Sequence, residues 1–384
     1  MTDNALELSH FHPILRTWFS SRFGEPTDVQ KQAWKHIISG THTLISSPTG
    51  SGKTLAALLP CMDRVAKTKQ SLGDSYPAGV RVLVVTPLKA LNNDIHDHLI
   101  HFIAEIDEAA ASSSKETAWH GLRVGVRTGD TTQSTRASML KNPPDLLVTT
   151  PESLYLLLTS PRARQMLKSV EQIVVDEIHD LAADKRGMHL SLTLERLDAW
   201  CGRSVQRIGV SATQKPIERV ARFLGGWEAD QPRQVGIIES KAEKQYALQV
   251  TMPKPARAGA DKEEIWTPLV ERLLQLMDGC STVLIFANSR RLCERMTLRL
   301  NDHVGHEIAK SHHGSVAREK RLEVERLLMA GELRCLVATS SLELGIDVGH
   351  VDLVIQIDSP FSAAAGIQRI GRAGHAVGSV SRGV

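Results

Sequence analysis

The stretch that most limits how this chain can fold is Ser47–Thr54, S-P-T-G-S-G-K-T, directly after the β-rich run Thr43-Leu44-Ile45-Ser46. Two glycines, a lysine and a hydroxyl residue at this spacing suit a backbone loop that wraps a triphosphate. Such a loop needs a strand before it and a helix after it, so that main-chain N–H groups and the helix's positive end face the phosphates. Thr49, Gly50, Ser51 and Gly52 would form the cradle, Lys53 would reach the β- and γ-phosphates, and the Thr54 hydroxyl would sit on Mg2+. Ser47 stands where the usual pattern has glycine, and a Gly/Ser surface turn fits the same residues. The remainder of the chain has to decide between them.

A chain of 384 residues has room for roughly two or three domains. Its 42% apolar and 23% charged content is ordinary for a globular protein, and no apolar run approaches the ~20 residues of a membrane span. Met1–His10 lacks a secretory pattern, and the five dispersed cysteines form no C-x-x-C, so buried thiols in a reducing compartment are expected. With a net charge of only +3, any nucleic-acid surface must be a local groove.

Taken in order, 12–23 reads as an amphipathic helix, and Thr27 or Asp28 can cap a second helix that stops at Gly40. Pro60 is expected to kink or shorten the helix after the phosphate loop, with a polar loop over 67–79. Strand-like runs follow at 80–86, 122–127, 145–150, 170–175 and 206–210, with helical stretches between them. This alternation argues for a doubly wound parallel sheet. The rhythm breaks over 225–232, read as the interdomain linker, so the expected domains are 1–232 and 233–384. A second alternation has strands at 246–252, 282–286, 307–311, 334–339 and 351–358, and the second domain is expected to be incomplete at its end.

Almost every unusual polar cluster falls at the carboxyl end of one of these strands. In an open parallel sheet those ends share one rim, where ligands bind. Asp176-Glu177 ends an apolar strand, and two carboxylates there cost solvation energy unless they face a cation or water. With the phosphate loop on a neighbouring strand, Asp176 would hold the Mg2+ hydration shell and Glu177 would orient or deprotonate the attacking water. Gln368–Gly374 sets Arg369 and Arg372 at a glycine-rich site, where a guanidinium fork suits a γ-phosphate; a solvated basic turn is the alternative. Thr86, Lys89, Thr128, Gly129, Thr150, Asn288, Arg290, His313 and Thr339 are small donors and cations suited to phosphate oxygens along a strand track, though each alone also reads as a turn or cap residue. His96, His98 and His101 read as a solvated helix face, without the glutamate or cysteine companions of a metal motif.

Together, the 23–30 stretch F-G-E-P-T-D-V-Q, S-P-T-G-S-G-K-T, D-E-I-H (176–179), S-A-T (211–213), T-S-S-L-E-L-G-I-D (339–347) and Q-R-I-G-R-A-G-H (368–375) resemble a superfamily 2 helicase of the DExH type. With V-R-T-G-D-T (126–131) and D-K-R-G-M-H-L (184–190), they resemble the large helicase-related (Lhr) family along nearly the whole chain. The resemblance implies two tandem RecA-like domains of the P-loop NTPase type, each a parallel sheet flanked by helices. It also implies an ATP-driven translocase or helicase that moves 3′ to 5′ on DNA or RNA–DNA hybrids. Residue by residue, it implies that Gln30 reads the adenine edge with Phe23 or Thr27 in support, and that His179, Ser211 and Thr213 couple nucleotide to strand. Gly345 and Asp347 would line the nucleotide cleft, while His375 departs from relatives that carry a second finger arginine.

The expected function is therefore an ATP- and Mg2+-dependent nucleic-acid motor core acting on single-stranded or tailed duplex nucleic acid, DNA favoured, in the cytoplasm or on the nucleoid. An RNA-remodelling ATPase and a nucleotide-binding remnant that unwinds nothing are the alternatives. His179, where the RNA-remodelling class carries aspartate, weighs against the first of these.

Overall fold

The computed structural model describes residues 8–48, 50–87, 89–112, 118–182, 184–213, 215–240, 245–254, 266–339, 342, 349–374 and 380–384, with the side chains of 89–94 and 318 set aside. It divides into two compact units, Met1–Ala242 and Glu243–Val384.

The first unit begins with helices α1 (Pro13–Phe23) and α2 (Asp28–Ile38). Strand β1 (His42–Ser46) leads through the phosphate loop into α3 (Lys53–Leu72). Next come β2 (Val82–Val85), α4 (Lys89–Ala111), β3 (Val124–Arg127), α5 (Gln133–Lys141), β4 (Leu146–Thr149) and α6 (Pro151–Thr159). They are followed by β5 (Gln172–Val175), α7 (Ile178–Ala182), α8 (Lys185–Cys201), β6 (Gln206–Ser211) and α9 (Ile217–Gly225). A short hairpin, β7 (Trp227–Glu228) and β8 (Gln231–Pro232), precedes β9 (Val235–Glu239).

The sheet order is β3-β4-β2-β5-β6-β1-β9, with every pairing parallel. Both faces are covered, and the sequence shows why: the strands are continuous apolar runs whose alternate side chains serve opposite faces. Val82, Val84, Leu146, Val148 and Val174 join one core, against α2, α3 and α4. Leu83, Val85, Leu147, Ile173 and Val175 join the other, against α6, α8 and α9.

Three expectations change here. First, α3 continues through Pro60 to Leu72. Leu58, Leu59, Cys61 and Met62 are all buried beside the proline, and at ~1.5–3 kcal/mol per large side chain their burial outweighs the ~3 kcal/mol proline penalty. Second, part of the expected 67–79 loop is helix, because Lys69 turns inward and its Nζ bonds Asp145 Oδ2 at 2.6 Å and the Gly121 carbonyl at 2.9 Å. Third, the boundary falls beyond 232, since β9 pairs with β1 from His42↔Val235 to Ser46↔Glu239 and belongs to the first sheet.

A buried ion cluster at the amino ends of the strands secures that return. Arg207, 1% exposed, donates to Glu195 Oε1 (3.0 Å), Asp198 Oδ2 (2.7 Å) and the Gly225 carbonyl (2.9 Å). Arg233, just before β9, donates to both Glu195 oxygens at 2.8 and 2.9 Å. The Arg207 N–H donates to His42 Nδ1 at 3.0 Å, which ties the start of β1 to the same cluster.

The second unit carries β10 (Tyr246–Leu248), α10 (Thr267–Met277), β11 (Val283–Ala287), α11 (Arg290–Val304), β12 (Ala309–His312) and α12 (Arg318–Met329). It ends with β13 (Cys335–Ala338), β14 (Leu353–Ile357), α13 (Ala363–Ile370) and β15 (Ser381–Gly383). Its order is β10-β15-β14-β11-β13-β12, again parallel throughout. Val283, Ile285, Cys335, Val337, Leu353 and Ile355 meet α10 and α11 in one core. All five cysteines are buried and free of disulfides, and burial pushes the thiols of Cys61, Cys293 and Cys335 up to about 12.

Two outcomes follow for stability. Arg207→Ala empties the buried centre of the cluster and leaves Asp198 with Arg233 alone, which should cost up to about 3–5 kcal/mol in urea denaturation, whereas Lys310→Ala, which breaks the exposed pair with Glu307, should cost under ~1 kcal/mol. Burial lowers the pKa of His42, and the charges of Arg207 and Arg233 act in the same direction. Below the ordinary histidine value of 6.5 the unfolded chain therefore takes up a proton that the folded chain refuses, so stability is lost as the pH drops through that range. His42→Asn, whose Oδ1 can accept the same N–H, should flatten that fall. His12 and His179, also lowered by burial, should retain part of it.

Candidate active site

The phosphate loop is shaped by local chemistry before any ligand is considered. Gly50 and Gly52 adopt φ values of +79° and +77°, a left-handed region that side chains resist. Ser47 Oγ lies 2.6 Å from Ser51 Oγ, and Ser51 Oγ donates to the Pro48 carbonyl at 2.8 Å, so hydroxyls brace the turn from within. Lys53 is buried, its Nζ donating to the Ser47 carbonyl at 3.4 Å, and Thr54 follows in the first turn of α3. The capping box of α2 abuts this loop. Gln30 Oε1 accepts the Thr27 N–H at 2.9 Å, Gln30 Nε2 donates to the Gly52 carbonyl at 3.4 Å, and Thr27 Oγ1 donates to the Ser51 carbonyl at 3.4 Å.

The strand carrying Asp176 and Glu177 is not the neighbour of the loop strand, contrary to expectation: β6 lies between β5 and β1. The strand order doubles back here, since the chain leaves β1 for β2 and returns to the side of β1 as β6, and such a switch is the usual place for a ligand at the carboxyl rim of a doubly wound sheet. β6 contributes Ser211, whose carbonyl accepts the Ser47 N–H at 3.1 Å. Asp176 and Glu177 are both buried. Burial pushes the Asp176 carboxyl well above the usual carboxylate range, the Glu177 charge adds to this, and Lys53 opposes it. Glu177 adopts a φ of +45°, and its N–H donates to Asp176 Oδ1 at 2.9 Å. Thr54 and Asp176 offer hard oxygen donors, and a cation facing Asp176 would relieve its desolvation, so this donor set fits Mg2+.

His179 connects these pieces. Its Nδ1 lies 3.3 Å from Ser211 Oγ and from the Ala212 N, and 3.5 Å from Glu177 Oε2. Burial lowers its pKa, so the imidazole is neutral near pH 7 and can accept the Ala212 N–H. Thr213 sits exposed just beyond.

Register places three more residues in one row with Asp176. Arg127 pairs with Thr149, Thr149 with Val85, and Val85 with Val175, so the next residues, Thr128, Thr150, Thr86 and Asp176, end four consecutive strands. Thr150 caps α6 by accepting the Ser153 N–H (3.3 Å), and Thr128 Oγ1 accepts the Asp130 N–H (3.3 Å). Two arginines absent from the expected set serve this row. Arg136 donates to the carbonyls of Thr128 (3.3 Å) and Gly129 (2.9 Å), and Arg186 reaches the Pro87 carbonyl. Arg186 lies in the D-K-R-G-M-H-L stretch, which marked a family without announcing a role.

In the second unit the expected contacts are engaged within their own fold. Asn288 Nδ2 donates to the Ser359 carbonyl (2.8 Å) and its Oδ1 accepts from Arg369 (3.3 Å). Arg369 is 1% exposed and lies over the Phe286 ring at 5.2 Å; Arg372 is also buried. Arg290 donates to Ser315 Oγ (2.7 Å), His313 Nε2 lies 2.6 Å from Glu294 Oε1, and the Thr339 N–H donates to the His312 carbonyl. Thr49, Gly345, Asp347, His375 and the Lys89 side chain fall outside the described residues. Along α4, His96 lies 3.3 Å from Asp97 and His98 stacks on Phe102, and the described residues hold no group of three or more His, Cys, Asp or Glu side chains placed to bind a metal.

A Cβ on Gly52 would lie 2.7 Å from Gln30 Nε2. Gly52→Ala should therefore lower the thermal midpoint, and Gln30→Ala in that background should restore only part of it. The left-handed backbone still costs about 1–2 kcal/mol after the clash is gone.

Residues 27–220 match the DEAD/DEAH box helicase family model, and residues 268–377 match the helicase conserved C-terminal domain. A Lhr helicase/probable uracil glycosylase of Mycolicibacterium smegmatis is 44% identical over the whole of this chain, which spans 27% of that protein. The ATP-dependent helicase Lhr-Core of Methanothermobacter thermautotrophicus is 42% identical over 98% of the chain, which spans 43% of its length. The solved helicase Lhr of Mycobacterium smegmatis, bound to ssDNA and AMP-PNP, superposes with a TM-score of 0.87 at 47% identity, covering 98% of this chain and 48% of that one. The chain thus spans less than half the length of each of these relatives. With the phosphate loop, the D-E-I-H strand end and the S-A-T strand end on one rim of a parallel sheet, it belongs to the DEAD/DEAH box helicases and has relatives of the Lhr type.

Proposed function

We propose that this chain is the motor core of an ATP-dependent helicase, hydrolysing ATP to move along single-stranded nucleic acid, with DNA the favoured track. One observation carries the reading: a buried Asp176–Glu177 pair and a glycine-shaped phosphate loop lie on strands flanking β6, and the same rim continues into Thr86, Thr150 and Thr128. Nucleotide chemistry and strand contacts then share one line of residues. The ssDNA and AMP-PNP bound by the solved Lhr relative support the choice of DNA and of ATP.

In this reading the N–H groups of 49–54 and the Lys53 ammonium hold the triphosphate, and Gln30, braced against Gly52, reads the adenine edge. Thr54 and Asp176 would hold Mg2+, which would supply neutralisation of the phosphate charge. Glu177 orients the attacking water and accepts its proton, aided by the turned backbone that sets its carboxylate at the strand end. His179, bonded to Ser211 and Ala212 and near Glu177, passes the state of the nucleotide to the rim. By resemblance, Gly345, Asp347, Arg369 and Arg372 are proposed as nucleotide contacts, Arg372 as the finger. Phosphate contacts of Thr86, Lys89, Thr128, Gly129, Thr150, Asn288, Arg290, His313 and Thr339 grip backbone without reading sequence. Movement from 3′ to 5′ is proposed by resemblance to the Lhr type.

The test is ATP turnover with matched single-stranded DNA and RNA. DNA should stimulate it more than RNA, and Lys53→Ala should abolish it. Glu177→Gln should lower the stimulated rate by about 10²–10⁴ while ATP binding persists. Turnover that survives Glu177→Gln would remove the base from the mechanism.

A further inference from the structure

Arg186 has no role in the reading above, yet its guanidinium holds two segments of the strand-contact rim. Its Nε donates to Glu152 Oε1 at 2.7 Å and its Nη2 donates to the Pro87 carbonyl at 2.7 Å. Pro87 directly follows Thr86, and Glu152 lies in the first turn of α6, the helix capped by Thr150. One planar fork thus spans the exits of β2 and β4. The flexible point charge of a lysine cannot reproduce that grip on two separate acceptors.

The arginine is itself fixed to the hydrolytic strand. Asp176 and Glu177 lead into α7, whose Ile178 and Leu181 are buried. The Asp184 N–H donates to the Leu181 carbonyl at 3.2 Å, and Asp184 caps α8. At Gly187 a Cβ would lie 1.7 Å from the Leu181 oxygen, so α7 and the start of α8 approach without room for any side chain between them. Arg186 projects from the far end of that block.

We propose that Arg186 is a positioning residue for nucleic-acid binding: it sets the spacing of the Thr86 and Thr150 segments and fastens both to the block that begins at Asp176–Glu177. The inference rests on the reading of that rim as a nucleic-acid track. Glu152 belongs to the same device, although a carboxylate is the wrong charge to touch a phosphate. That gives the two residues a signature no direct contact would share.

The test is the affinity of the full chain for a fluorescent single-stranded oligonucleotide, measured by anisotropy over a series of salt concentrations, with thermal midpoints recorded in parallel. Arg186→Ala and Glu152→Ala should each weaken binding about tenfold. The double variant should be little weaker than either, because both remove one device. The slope of log affinity against log salt should be unchanged. Arg186→Lys, which keeps the charge and perturbs folding least, should also bind several-fold more weakly. Glu152→Ala binding as tightly as the parent or tighter would overturn the proposal, and so would rescue by Arg186→Lys. A salt slope reduced by about one in Arg186→Ala would instead make Arg186 a direct phosphate contact, and would equally overturn it. A lowered thermal midpoint with unchanged affinity would reduce Arg186 to a structural tie and also defeat the proposal. If the parent chain binds strongly and every variant matches it, this inference alone fails. If the parent does not bind, the strand-track reading fails with it.

Discussion

The structure of the first unit depends on the parallel hydrogen-bond register of its sheet, with β6 inserted between β1 and β5. Register alone determines that Thr128, Thr150, Thr86 and Asp176 leave their strands in one row. A slip of one residue in any pairing would exchange that strand's side chains between the two cores and break the row. Because each core is packed around particular side chains, such a slip is resisted, and the same packing that stabilises the fold aligns its rim. Function here is a by-product of a sheet with no freedom to slide.

The inserted strand also separates the loop from the acidic pair. With β6 between them, Ser211 and Ala212 fill the gap and give His179 its partners. Burial and the neighbouring Glu177 charge raise the proton affinity of Asp176 in this setting. A site built in this way would respond to a cation and a triphosphate, because each ligand charge would change the balance that Lys53 alone cannot close.

Much of this was legible in the sequence. The phosphate loop, the Asp176–Glu177 strand end and the alternation of strands and helices are local patterns, with composition and spacing that chemistry constrains directly. What escaped is non-local. Nothing near Val235–Glu239 announces that it pairs with His42–Ser46 far earlier in the chain; the link is made by Arg207 and Arg233 sharing Glu195 and Asp198. Helix α3 runs through Pro60 because its buried face outweighs a local propensity. Arg186 and Arg136 escaped for a related reason: the rim groups they hold are backbone carbonyls, which leave no mark in a sequence, and the carboxylate that Arg186 also meets, Glu152, is distant along the chain. In the second unit, Asn288 and Arg369 were recognisable as unusual polar residues, but the bond between them is a tertiary fact.

The central claim is that nucleotide and strand are read by one connected rim, and thermodynamic linkage tests it most directly. Affinity for a single-stranded DNA oligonucleotide should be measured with and without AMP-PNP and Mg2+, and the affinity for AMP-PNP with and without the oligonucleotide. The account predicts that each ligand changes the affinity of the other by the same factor, about 5–150-fold for a coupling of typical size. Two affinities that ignore each other would contradict it.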